Sequence, residues 1–218
     1  MKALYPYLLN IHIVFGALGL LSGSINLMLK KGGVIHKKIG FTFVLSMLIT
    51  GISALLLATF SFNVFLFIVG IFTIYLVGTG QRYMQLRNLG KGQRPKLGDC
   101  ILSYSMLIVG ITFIFWGAFL LVFESDLMGI TLLVFGGIGI QSVRKELQNY
   151  RLKMQYKMYW LREHIIRITG AYIAAFTAFI VVNQEKFPDS IPQVVFWLLP
   201  TIVLTPLISF WVRKYIKN

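Results

Sequence analysis

IGFTFVLSMLITGISALLLATFSFNVFLFIVGIFTIYLVGTGQ is the sequence of residues 39–81, and it contains no Asp, Glu, Lys, Arg or His. A helix crosses the roughly 30 Å hydrocarbon core of a bilayer with about 20 apolar residues, so this run has the length of two spans. A polar break at Ser61-Phe62-Asn63 lies near its middle. The stretch predicts two membrane-spanning helices joined by a tight hairpin at that break.

Five further uncharged runs each have the length of about one span, and they cover residues 3–29, 100–123, 127–143, 168–184 and 190–212. Strands of a β-barrel would need short alternating segments of about ten residues, which these long continuous runs are not. The run 127–143 contains four glycines, which lower helix propensity but allow close helix packing in membranes. The sequence predicts an all-α polytopic protein, a single seven-helix membrane domain over residues 1–218.

The composition excludes several other classes of protein. Hydrophobic residues make up 57% of the chain and charged residues 13%, and the mean hydropathy is +0.76. A soluble domain is nearer half apolar and a quarter charged, so a soluble enzyme and a disordered regulator are both excluded. The single cysteine, Cys100, cannot form an internal disulfide. No nucleic-acid-binding motif accompanies the net charge of +14, so no nucleic-acid partner is expected.

The basic residues predict the orientation of the helices. With seven spans, nineteen of the 21 Lys and Arg residues lie on one side of the membrane, and only Lys2 and Lys186 lie on the other. The positive-inside rule places the rich side in the cytoplasm, with the N-terminus outside and the C-terminus inside. The same cations predict contact with anionic lipid headgroups.

Residues 147–162 combine apolar and basic side chains at helical spacing. The apolar set is Leu147, Tyr150, Met154, Met158 and Leu161, and the basic set is Arg151, Lys153, Lys157 and Arg162. This pattern predicts an amphipathic helix on the inner membrane surface, with a soluble loop helix as the alternative.

The first span carries a stripe of small and polar residues at spacings of three and four, which puts them on one helix face. It contains His12, Gly16, Gly19, Gly23, Asn26 and Lys30. Because small residues allow close helix approach, Gly16, Gly19 and Gly23 predict packing against a neighbouring helix and a possible membrane-protein partner. His12 is predicted to be a hydrogen-bonded interface histidine or, as a separate site near the outer face, a haem ligand or proton-relay group.

The predicted cytoplasmic helix ends carry the remaining candidates for a binding site: His36, Arg82, Asp99, Glu163, His164 and Arg167. Three interpretations of a ligand site are open. His36 and His164, with Asp99 or Glu163, could hold a divalent metal, or the two histidines could ligate a haem iron. Arg82 and Arg167 could bind an anionic ligand. The alternative is ordinary structure, in which Asp99 and Glu163 cap helix N-termini and Arg167 pairs with Glu163 one turn earlier.

Three segments resemble an uncharacterised prokaryotic family of predicted multi-span membrane proteins, a domain of unknown function. They are KGGVIHKKIG at 31–40, GQR at 80–82 with Asp99 downstream, and His164 leading into GAYIAAFTA at 170–178. The resemblance implies a multi-pass protein of the cytoplasmic membrane of a prokaryote, and it draws attention to His36, Arg82, Asp99 and His164. It implies no reaction.

Three functions compete at this point. The first is binding of a metal, haem or small anionic ligand at a cytoplasm-facing site, with redox chemistry possible and catalysis undecided. The second is an accessory or structural subunit of a membrane complex. The third is a transporter of a small apolar molecule, since the span centres offer hydroxyl groups and no carboxylate.

Overall fold

A computed structural model describes residues 4–89, 91–151, 157–188 and 190–216. This part of the chain forms seven α-helices: α1 (Tyr5–Met28), α2 (Val34–Ser61), α3 (Val64–Tyr83), α4 (Leu97–Phe119), α5 (Met128–Tyr150), α6 (Tyr159–Val182) and α7 (Gln193–Tyr215). A π-helical turn, Leu120–Glu124, extends α4, and a short 3-10 turn, Gln184–Lys186, follows α6. The prediction of an all-α protein is confirmed.

Six helices are long and apolar enough to cross a membrane, which supports a multi-pass membrane protein. The exception is α5, whose last two turns contain Arg144, Lys145 and Glu146. Its 23 residues give a length of about 35 Å at 1.5 Å per residue, so its lower apolar content and not its length distinguishes it from the other six.

The predicted hairpin at Ser61-Phe62-Asn63 is present. Helix α2 ends at Ser61, and Phe62 takes the left-handed conformation, with φ of 49°, that reverses the chain. The side chain of Asn63 then accepts the amide hydrogen of Leu66 at 2.9 Å, which caps the start of α3. Three polar or strained positions between two apolar runs are therefore sufficient to end one helix and begin the next.

The chain divides into two compact units. The first unit contains Met1–Gln81 and Arg162–Lys217, and the second contains Arg82–Leu161. The predicted single domain therefore contains two separately packed parts.

Within the first unit, the small-residue stripe of α1 packs against α2 and α6. A Cβ atom at Gly19 would lie 2.4 Å from the Met47 sulfur, and one at Gly23 would lie 2.4 Å from the Tyr172 ring. Gly16 lies beside Thr50. The prediction of close packing is confirmed, and the glycines proposed for a partner protein are in contact with helices of their own chain.

Within the second unit, α4 and α5 pack backbone to backbone. A Cβ atom at Gly129 would lie 2.5 Å from the carbonyl oxygen of Gly117, and one at Gly136 would lie 2.8 Å from that of Gly110. These separations are too short for any side chain, so the helices can approach this closely only through glycine. The glycine-rich run of α5 is thus a packing surface.

The described residues of the predicted interfacial helix, 147–151 and 157–162, belong to two helices and the turns beside them. Its first four residues are the last of α5, and its last four are the first of α6. Lys157 and Met158 form a turn between these helices, and residues 152–156 lie outside the described residues.

Candidate functional site

The start of α2, the end of α3 and the start of α6 bring a group of polar side chains together in the first unit. We call this group the histidine cluster, and it consists of His36, Thr79, Glu163, His164 and Arg167. Gly32, at a positive φ of 80°, and Gly33 precede α2 and place His36 in its first turn.

His164 is held by the backbone of α3. Its Nδ1 atom lies 3.0 Å from the carbonyl oxygen of Gly80. Because a carbonyl has no hydrogen to donate, Nδ1 carries the proton in this contact, and Nε2 is the basic nitrogen of the neutral ring. A Cβ atom at Gly80 would lie 3.0 Å from the Cβ of Arg167 and 3.1 Å from Ile168. The absence of a side chain at residue 80 therefore allows α6 to approach α3 this closely.

Arg167 is buried, with only 2% of its surface exposed. Its Nη1 atom donates to the Thr79 hydroxyl at 2.8 Å, its Nε atom lies 3.4 Å from the Glu163 carboxylate, and its guanidinium lies 5.3 Å from the Tyr75 ring centre. Glu163 also accepts a hydrogen bond from Arg162 at 2.9 Å. The predicted pairing of Arg167 with Glu163 is confirmed, so this guanidinium binds a carboxylate of its own chain.

His36 lies within electrostatic range of His164 and of two cations, Lys31 and Lys37. Its Nδ1 atom is shielded from solvent and has no hydrogen-bond partner among the described residues. Buried polar atoms are almost always hydrogen-bonded, so an unbonded nitrogen beside a second imidazole requires an explanation.

His12 belongs to a different part of the first unit. Its Nδ1 atom contacts the carbonyl oxygen of Thr50 at 3.1 Å and the Ser53 hydroxyl at 3.2 Å. These contacts join α1 to α2, as expected of a hydrogen-bonded interface histidine. Among the described residues, no three side chains of His, Cys, Asp and Glu come together as metal ligands.

Arg82 and Asp99 belong to the second unit, where they form a bidentate ion pair. The Nε and Nη2 atoms of Arg82 donate to the two carboxylate oxygens at 2.6 and 3.0 Å. Asp99 also accepts the backbone N–H of Lys96 at 2.7 Å, which satisfies a donor at the start of α4. The predicted N-terminal capping by Asp99 is confirmed. Arg82, proposed for an anionic ligand, is bound to this internal carboxylate.

The second unit also contains a polar group that the sequence analysis missed. Glu146 is fully buried and accepts a hydrogen bond from the Ser103 hydroxyl at 2.7 Å. One turn later, Asn149 donates to the Tyr83 hydroxyl at 3.1 Å. A sequence signal for Glu146 existed, because it continues the three-and-four spacing of the buried face of α5: Gly129, Leu132, Gly136, Gly139 and Val143.

Lys31 closes the C-terminal end of α1. Its ammonium donates to the carbonyl oxygens of Asn26 at 2.6 Å and Leu27 at 2.9 Å, and it lies 4.2 Å from the Trp211 ring centre. A cation at this position satisfies carbonyls that the helix leaves unbonded. Burial lowers the pKa of Lys31 to about 8.

The chain matches no protein-family model, no curated protein and no solved structure. The resemblance to an uncharacterised membrane family therefore stays a prediction, and the case for a function depends on the geometry of these side chains.

Proposed function

We propose that the chain is a seven-span membrane protein of the cytoplasmic membrane, with its N-terminus outside, and that His36 and His164 ligate a haem iron. Bound haem would supply redox chemistry at this position.

Two observations support the seventh span. Helix α5 is about 35 Å long, and its glycines lie against α4 along the uncharged part of both helices. With α5 across the membrane, nineteen of the 21 basic residues share one side. A reporter fused after Asn218 is expected to be cytoplasmic, and a periplasmic reporter would contradict the orientation.

The observation that carries the ligand proposal is the buried Nδ1 atom of His36, which has no hydrogen-bond partner in the described part of the chain. A bound metal would account for a shielded nitrogen without a hydrogen-bond partner at this position. Its neighbour His164 supplies a second imidazole within electrostatic range.

The contact of His164 with Gly80 supports the same conclusion. Histidines that bind metals usually donate their other ring N–H to a carbonyl or carboxylate, which fixes the ring and raises the basicity of the ligating nitrogen. His164 makes this contact through Nδ1 at 3.0 Å, so Nε2 would be the nitrogen that ligates a metal.

The number of ligands favours haem over a divalent ion. A mononuclear zinc site takes three or four protein ligands, and no such group occurs among the described residues. Haem iron needs protein ligands only at its two axial positions, because the porphyrin supplies the other four. Two imidazoles are sufficient for haem and insufficient for zinc.

An absorption spectrum of the protein purified with added haemin, with iron and zinc analysis, tests the proposal. We expect a Soret band with one haem per chain, and its loss in both His36→Ala and His164→Ala. His12→Ala is the matched control and should retain the band, because His12 contacts Thr50 and Ser53. A colourless wild-type protein that elutes as a single species would overturn the proposal.

A further inference from the structure

A groove between α4 and α5 in the second unit is not used by the proposed function. Its volume is about 320 Å³, within the range of small-molecule sites. Leu107 of α4 and Ile140, Val143 and Leu147 of α5 supply its apolar lining. The groove follows α5 from Ile140 to Arg151, a distance of about 16 Å at 1.5 Å per residue.

Two arginines also line this groove, and their ion pairing differs from that of Arg82 and Arg167. Arg144 and Arg151 are seven residues apart and therefore project from one face of α5. Both are exposed, and neither has an ion-pair or side-chain hydrogen-bond partner in the part of the chain that the structure describes. Arg82 and Arg167, in contrast, are bound to carboxylates.

We propose that this groove binds one anionic phospholipid, with an acyl chain on the apolar lining and the phosphate between Arg144 and Arg151. Along α5 the lining begins with Ile140 and Val143, in or at the end of the uncharged run, and continues with the two guanidiniums, which have Leu147 between them. An acyl chain fits the first part, and a phosphate fits between the two guanidiniums.

Charge and geometry both favour this occupant. Guanidinium groups bind phosphate oxygens through paired hydrogen bonds, and two guanidiniums without acidic partners leave a local positive charge that an anion would balance. A soluble anion would not use the four apolar side chains, whereas a lipid in the adjacent leaflet covers both parts of the groove.

Native mass spectrometry of the detergent-purified chain tests the proposal with dioleoylphosphatidylglycerol as the probe. We expect one retained lipid per chain, with dioleoylphosphatidylcholine retained far less. The double variant Arg144→Gln/Arg151→Gln should weaken retention of the anionic lipid by about tenfold or more, because it removes two charge-assisted contacts. Leu107→Trp, which fills the apolar end, should weaken it as well.

The matched control removes the same charge elsewhere in the second unit. Lys91→Gln/Lys145→Gln changes two exposed lysines that do not line the groove, and it should retain the lipid as the wild type does. Equal loss in this control would show a general charge effect and overturn the site. Displacement of the lipid by inorganic phosphate, or full retention in Leu107→Trp, would overturn the lipid as the occupant. Each variant is compared only after it elutes as a single species with unchanged helicity.

Discussion

The polar contacts described above differ between the two units. In the second unit, side chains bind one another in pairs: Arg82 with Asp99, Ser103 with Glu146, and Asn149 with Tyr83. The histidine cluster of the first unit contains an equally well-made contact between Arg167 and Thr79, but beside it a nitrogen of His36 has no partner among the described residues. Side-chain pairs such as these hold helices together, whereas the unbonded nitrogen of His36 needs another explanation, and bound haem is the one we propose.

The largest expected effect on stability is that of breaking the ion pair between Arg82 and Asp99 in the second unit. Arg82→Gln leaves the Asp99 carboxylate, which is 2% exposed, without its cation. We expect a loss of about 3 kcal/mol in the free energy of unfolding, because a buried charge without its partner keeps its desolvation cost. Titration with sodium dodecyl sulfate, followed by circular dichroism, measures it.

The double variant Arg82→Gln/Asp99→Asn is the control for this prediction. It removes the charge together with its partner, and it should recover at least half of the lost stability. If the double variant were as unstable as Arg82→Gln, the guanidinium would be acting through packing and not through the ion pair.

A second prediction concerns the backbone contact between α4 and α5. Gly129→Ala places a methyl group 2.5 Å from the Gly117 carbonyl oxygen, and separating the helices should cost about 2 kcal/mol of unfolding free energy. Gly137→Ala is the matched control on the same helix, because a Cβ atom there meets nothing within 4 Å. It should leave stability unchanged or raise it by up to about 1 kcal/mol. Equal effects at the two positions would contradict glycine-mediated packing.

In the first unit, removing a proposed haem ligand should change stability little and abolish haem binding. His36→Ala removes a half-buried ring that makes no hydrogen bond through Nδ1, so the apo protein should lose less than about 1 kcal/mol of unfolding free energy. The same variant should abolish the Soret band of haem-loaded protein. A loss of stability comparable with that of Arg82→Gln would mean that His36 is structural and would remove the contrast between the units.

Structural features that depend on residues close together in the sequence can be predicted from it. The hairpin at Ser61-Phe62-Asn63, the packing face of α1 and the pair Glu163–Arg167 are each encoded within a few residues along the chain. Long apolar runs likewise determine six helices that could span a membrane.

Contacts between distant residues are harder to predict. Arg82 and Asp99 were both identified as candidates for one site, but their mutual ion pair depends on how the loop between α3 and α4 returns the chain. The sequence does not single out Glu146, because this residue follows two cations, Arg144 and Lys145, as in the charged end of a span. Its position on the glycine face of α5 determines its burial. The helix face therefore predicts the burial of Glu146 better than the charges of its sequence neighbours do.

The smallest expected effect is the titration of Lys31. Its pKa is about 8 in the folded protein and near 10.5 when exposed, so between these values the unfolded chain binds more protons. Stability should therefore rise slightly with pH over this window and be unaffected by Lys31 above it. Reductive ¹³C-methylation and NMR should show one lysine signal that titrates near pH 8, and it should be absent from Lys31→Met. Titration of that signal with the other lysines would mean that the ammonium over Trp211 stays hydrated, and the cap on α1 would then be a surface contact.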